Sequence, residues 1–213
     1  MAKQKKYHHG DLRAALVERA LQTLATSGVY ALNLRTLSRE IGVSEAAPYH
    51  HFEGKDGLVA ALAARGFCAL ADRLGAAGAE LDDPFEQMKA QGRAYVAFAL
   101  EEPGYFRVMF GAHIMDLPDH LRDREAGGAA YGHHARCCAR VAASLGVPES
   151  AGSIERTAWA VVHGTATLLL EREVRPEESG ATVDEMVEDA LNVLVAGLAS
   201  ELAMVPVIAP SRG

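Results

Sequence analysis

Apolar residues recur along this chain at helical spacing, and the pattern predicts a sequence of helices separated by short breaks. Leu12, Leu16, Ala20 and Leu24 form an i+4 ladder flanked by Val17 and Leu21, which predicts an amphipathic first helix that Asp11 caps and Gly28 stops. Leu34, Leu37 and Ile41 make one apolar stripe of a short second helix. Asn33 stands before it as an N-cap, and Gly42 is placed to end it in the left-handed conformation. After the tight turn Gly42-Val43-Ser44, a third helix is expected from Glu45 to about Phe52 with Ser44 as its cap. A helix of about eight residues does not persist alone, so neighbouring elements must hold it.

A longer helix begins at Lys55 and runs through Leu58, Leu62, Phe67, Leu70 and Leu74. The Ala/Gly-rich run 75–80 and the Asp82-Asp83-Pro84 signal end it and start the next, with Pro84 suited to a first helical turn. Further helices are expected over 85–100, 105–110, 119–145, 154–174 and 183–205, the third of these interrupted at Gly127-Gly128. The fold class is therefore all-α.

Helix, tight turn, short presented helix is the helix-turn-helix arrangement, whose second helix enters a DNA major groove. Gly42-Val43-Ser44, then Tyr49-His50, then Phe52, Lys55 and Leu58 resemble the signature of the TetR/AcrR family of bacterial transcriptional repressors, over roughly residues 8 to 60. The resemblance implies an N-terminal three-helix DNA-binding domain, 1–60, and a C-terminal helical bundle, 61–213, for effector binding and dimerisation. It also implies DNA contacts at the matching positions Ser44, Tyr49, His50 and Lys55. Glu45, Ala46 and Ala47 share the presented segment as further readers, and Arg35 with Thr36 at the start of the second helix are candidate phosphate contacts. Two residues depart from the family pattern. Glu45 can only accept, for example from a cytosine amino group, and Pro48 lacks an N–H, which a first turn tolerates and a longer helix interior does not.

Charge sharpens this picture. The net charge of −7 argues against a nucleic-acid partner until its distribution is read. Residues 1–55 hold eight Lys or Arg against five Asp or Glu, net +3, while residues 56–213 are net −10. The basic charge lies where phosphate neutralisation needs it. Lys3, Lys5 and Lys6 form a basic arm that either reaches DNA or is a solvated tail. The basic N-terminus runs into a charged amphipathic helix rather than an apolar signal core, no window is apolar enough for a membrane span, and the odd set Cys68, Cys137 and Cys138 suits reduced thiols. A cytoplasmic protein without membrane contact is expected.

The last two helices are too apolar to face water, which marks an interface. The family resemblance implies a homodimer through them, presenting two reading heads to a pseudo-palindromic operator. Trp159…His163-Gly164 further resembles the Trp-His-Gly C-terminal domain of one TetR subgroup. The family implies a small-molecule effector in the C-terminal domain, with Tyr95, Phe106, Met109, Phe110, His113, Trp159 and His163 as candidate pocket residues. For any one of them the plainer reading is structural: Trp159 filling core, His163 satisfying a buried hydrogen bond. His133 with Cys137 and His134 with Cys138 are i, i+4 pairs that could each give a metal two ligands, and Arg136 and Arg140 could lower a thiol pKa for oxidation sensing. Two small cysteines filling core is the stronger expectation, and no cofactor is expected. There is no Gly-rich phosphate loop, nucleophile elbow or HExxH motif, so neither an enzyme nor a helical interaction module without DNA binding competes well with a DNA-binding regulator.

Overall fold

The computed structural model describes residues 9–114 and 116–203. They form eight α-helices: α1 His9–Ser27, α2 Leu34–Ile41, α3 Gly54–Ala76, α4 Pro84–Glu101, α5 Pro103–Phe110, α6 Arg124–Ser144, α7 Ala151–Leu170 and α8 Val183–Ala203. Among the described residues there is no strand, and no helix is long and apolar enough to cross a membrane. The basic arm Lys3, Lys5 and Lys6 and the tail after Pro206 lie outside the described residues.

Contacts divide the chain into two units. One comprises the residues up to Leu70 together with Glu101–Ala129; the other comprises Ala71–Leu100 and the residues from Ala130 onward. The first unit is built on α1, whose ladder Leu12, Leu16, Ala20 and Leu24 is buried with Val17. This apolar face is too wide for α2 alone, and α5 returns to cover the rest. The approach is close at Gly104, where a Cβ would lie 2.7 Å from the Leu21 carbonyl oxygen. Arg107 donates to the Ala25 carbonyl beside it, and Met109 packs over Gly66 of α3. By contacts, then, α5 goes with the N-terminal helices although it lies far downstream of residue 60.

In the second unit Met88, Cys137, Cys138, Val141, Ala142, Ile154, Ala158 and Leu194 form a continuous core. Its helices are closed by local chemistry. Asp83 accepts from the backbone N–H of Phe85 at 2.8 Å, with Pro84 in the first turn as expected. Thr182 and Glu185 make a reciprocal capping box at the start of α8, the Glu185 carboxylate accepting from Thr182 N at 2.8 Å.

Three expectations about elements are corrected. Asp11 is a residue within α1, which already covers His9. The Gly127-Gly128 pair does not interrupt α6. Asp123, accepting from the N–H groups of Glu125 and Ala126, starts that helix, and buried Ala126 and Ala130 anchor it on either side of the glycines. The third correction concerns the presented segment. Instead of an α-helix from Glu45 to Phe52 there is a 3-10 turn, Ala47–His50, preceded by a hydrogen-bonded turn from Ala47 N–H to the Ser44 carbonyl at 3.0 Å. In an α-helix capped by Ser44, Pro48 would supply the first N–H bonded back to that carbonyl, and proline has none. The chain tightens to three-residue bonds, Tyr49 to Ala46 at 3.2 Å and His51 to Pro48 at 2.9 Å.

Candidate nucleic-acid interface

Two local devices fix α2 and the turn after it. At its start the Asn33 side chain accepts from the N–H groups of Arg35 at 2.9 Å and Thr36 at 3.3 Å. At its end Gly42 adopts φ 77, ψ 31, with Val43 N–H bonded to the Ser38 carbonyl at 2.9 Å and Gly42 N–H to Arg39 at 3.2 Å. This is the Schellman arrangement, and it needs a residue without a Cβ at the left-handed position. Leu34 and Leu37 are buried beneath, and Ser38 is buried with its hydroxyl donating to the Leu34 carbonyl at 2.8 Å. The short presented segment is pinned from below by Pro48 and Phe52, both buried, with the Arg13 guanidinium 5.3 Å from the Phe52 ring centre. Packing is therefore the role of Phe52. On the flank, Arg19 of α1 pairs with Glu40 of α2 at 2.7 Å. That bond holds Glu40 below the usual carboxylate range.

The structure brings the candidate DNA contacts together on this unit. Arg35, Thr36, Ser44, Glu45, Ala46, Tyr49 and His50 are exposed, Tyr49 by 54%; Ala47 is half-buried. Lys55 is half-buried in the first turn of α3, near His113. The cap position of the 3-10 turn is Ala46 and makes no side-chain cap bond, so Ser44 is a turn residue rather than a helix cap. Arg39 escaped the sequence reading, although its i+4 relation to Arg35 was a legible signal. It is exposed on the same helix, and the Glu45 carboxylate lies 3.8 Å from Arg35 Nε and 3.7 Å from Arg39 Nε.

The effector candidates fall into two groups. Phe106, Met109, Phe110 and His113 belong to the first unit. Phe106 and Met109 are buried, and Phe110 meets Phe67 edge-on at 5.7 Å. Among the described residues the buried Nε2 of His113 has no hydrogen-bond partner, and burial, then Lys55, pushes the imidazole pKa down. Tyr95, Trp159 and His163 meet in the second unit. The Tyr95 hydroxyl and His163 Nδ1 are 2.8 Å apart, and the Trp159 indole nearby offsets part of the effect of burial on the phenol. Burial raises the Tyr95 pKa and lowers that of His163. The core reading of Trp159 does not hold for the chain as described: the indole is 48% exposed, its ring 5.6 Å from that of His163. A polar cleft of about 230 Å³ lies elsewhere, in the first unit, lined by Arg19, Thr23, Asn33, Thr36 and Glu40; of the candidate residues only Thr36 borders it.

The His/Cys cluster reads differently in three dimensions. Cys137 and Cys138 are 2% and 1% exposed core residues. Burial pushes their thiols up to about 11 and about 12, against the lowering that Arg136 and Arg140 could have produced. His134 Nε2 lies 2.9 Å from the Glu155 carbonyl, tying α6 to α7, and His133 packs over Gly75. Among the described residues no group of three or more His, Cys, Asp or Glu could hold a metal ion. Metal or thiol sensing is not favoured.

Comparison with known proteins agrees with this geometry. Residues 16–62 match the model described as bacterial regulatory proteins, tetR family, and residues 88–194 match that described as tetracyclin repressor-like, C-terminal domain. The chain is 33% identical over 120 residues to the nucleoid occlusion factor SlmA of Vibrio vulnificus, covering 54% of this chain and 61% of that protein. It thus spans about three fifths of the length of that curated relative. A solved protein of unknown function from Rhodococcus sp. RHA1 superposes with a TM-score of 0.76 at 37% identity, covering 92% of this chain and all of that one. A TetR variant from Acinetobacter baumannii, solved with minocycline, gives 0.61 at 22% identity, over 92% of this chain and 96% of that one, and shows the fold alone. Together the two matched segments cover well over half of the chain, and the family's members are transcriptional regulators, not enzymes. The chain belongs to the TetR family of bacterial DNA-binding transcriptional regulators.

Proposed function

We propose that this chain is a ligand-responsive repressor that binds a pseudo-palindromic operator as a homodimer in the cytoplasm and is released by a small-molecule effector. The observation that carries the reading is the exposed row Arg35, Thr36, Ser44, Tyr49 and His50 on and after a helix, α2, that is fixed at both ends. An exposed polar row next to a rigid helix start suits phosphate and base-edge contacts, not core packing. The domain 1–60 carries the DNA contacts of the reading head, which α5 completes by packing on α1, and the domain 61–213 otherwise supplies dimerisation and response.

Exposed apolar side chains on the last two helices support the dimer: Leu168 on α7 and Val193 on α8, the last 73% exposed. Large apolar groups left in water on adjoining helices are covered by a second copy in a twofold assembly. The Tyr95–Trp159–His163 cluster, which pairs aromatic surface with directed polar atoms, supports an effector site in the second unit. Its Trp159…His163-Gly164 sequence supports placement in the Trp-His-Gly subgroup.

A mobility-shift titration against DNA from the protein's own promoter region tests the reading. Binding should weaken steeply with salt, and Tyr49→Ala should weaken it while sedimentation still gives a dimer. Absence of a shift at low salt, with or without candidate effectors, would overturn the proposal. Trp159→Ala should alter release by effector more than operator affinity; an unchanged response in the folded variant removes Trp159 from the effector site.

A further inference from the structure

Glu45 stands in the turn that enters the presented segment, and its carboxylate faces back onto α2. Arg35 and Arg39 are four residues apart on that helix, so their guanidinium groups rise from one face. The two carboxylate oxygens of Glu45 are divided between them, Oε2 at 3.8 Å from Arg35 Nε and Oε1 at 3.7 Å from Arg39 Nε. The other carboxylate of α2, Glu40, is hydrogen-bonded by Arg19 of α1 and acts on Arg39 only as a weaker, secondary charge. All three members of the trio are exposed, so the arrangement stabilises the fold little. Chemically it is an anion held between two guanidinium groups at ion-pair rather than hydrogen-bond distance, with Arg39 Nε also donating to the Arg35 carbonyl at 3.4 Å, and it occupies the place a phosphate would take.

We propose that Glu45 is an internal competitor for phosphate, which sets how sharply the head distinguishes its operator from bulk DNA. The inference rests on the DNA-binding reading above. On arbitrary sequence, a backbone contact by Arg35 or Arg39 must first displace the carboxylate, which is then left facing a polyanion. On the operator the released carboxylate finds base partners only among the exocyclic amino donors of the major groove, that of cytosine foremost and that of adenine besides. The same residue therefore weakens binding that reads no bases and spares binding that offers it a donor.

The test compares wild type with Glu45→Gln on a random-sequence duplex and on the duplex that the wild-type protein selects from a random pool, by fluorescence anisotropy across about 50 to 200 mM salt. On the random duplex the variant should bind about twofold to fivefold tighter at low salt, with a salt slope steeper by about 1 to 2 as freed guanidinium groups take up phosphates. The selected duplex should gain less, so the specificity ratio falls. In an Arg35→Gln/Arg39→Gln background the same substitution should lose most of its effect. An unchanged slope and affinity on random duplex, while wild type still binds, overturns this proposal alone. So does a Glu45→Gln effect that persists in full without the two arginines, since that marks a general charge effect. Failure of every form to bind any duplex overturns the DNA-binding reading itself.

Discussion

Replacing Gly104 by alanine places a methyl group where α5 crosses α1. The added Cβ would lie 2.7 Å from the Leu21 carbonyl oxygen and 3.4 Å from the carbonyl carbon. A comfortable carbon–oxygen approach is about 3.3 to 3.6 Å, so α5 must retreat by roughly half an ångström or more. The obstacle is helical backbone, which cannot swing aside as a side chain can. Overpacking of this kind costs about 1 to 3 kcal/mol. Alanine returns up to about 1 kcal/mol through helix propensity, and less in the first turn, where Gly104 stands. The net expectation is a loss of about 1 to 2 kcal/mol, read as a lower urea midpoint with an unchanged m-value. In thermal melting it corresponds to a fall of about 2 to 8 °C for a chain of this size. Gly128→Ala is the matched comparison: also helical, with nothing within 4 Å of its added Cβ. That change should stabilise by about 0.5 to 1 kcal/mol. If Gly104→Ala proves as stable as wild type or rises with Gly128→Ala, the close crossing of α5 on α1 is wrong.

Other changes probe the head and the second unit separately. Asn33→Ala removes the acceptor for the Arg35 and Thr36 N–H groups and should cost about 0.5 to 2 kcal/mol in urea denaturation; no change would mean water replaces the cap at no cost. In the native protein a thiol reagent should modify exposed Cys68 promptly and Cys137 and Cys138 only on unfolding, so fast titration of all three thiols would contradict their burial. Burial depresses the His163 pKa, so the unfolded chain takes up that proton first as pH falls. The stability from neutral His163 is whole above the unfolded value of about 6.5 and is lost as pH drops below it toward the lower folded value. His163→Gln should therefore flatten the fall in urea midpoint between about pH 7.5 and about pH 5.5; an equal fall in both proteins refutes this.

The sequence carried much of this architecture because several signals are local. Asn33, Gly42 and the Leu12-to-Leu24 ladder each act within a few residues, and each sits where the spacing predicted. Pro48 was visible too, but its effect depended on its distance from the cap. At the fourth position after Ser44 it removes the first bond an α-helix would make, and the segment becomes a 3-10 turn. The exposure of Trp159 was hidden because periodicity marks an apolar stripe without saying whether core or partner covers it. Glu45 could be read from sequence only as an acceptor; its engagement with Arg35 and Arg39 depends on how the Gly42 turn aims the chain. The effector candidates were chosen by residue type, and type alone does not reveal that Phe106 and Met109 pack in the head while Tyr95 and His163 meet in the other unit.

The discontinuous makeup of the first unit orders events at the ribosome. When residues 9–70 have emerged, the face of α1 that α5 covers, with Leu21 and Ala25 on it, is still without its partner helix. The chain must then be synthesised through the whole of Ala71–Leu100, which belongs to the other unit, before Gly104 and Arg107 are available. The reading head is thus finished by a late-arriving helix, and a nascent chain stalled before residue 101 carries an incomplete, sticky version of it.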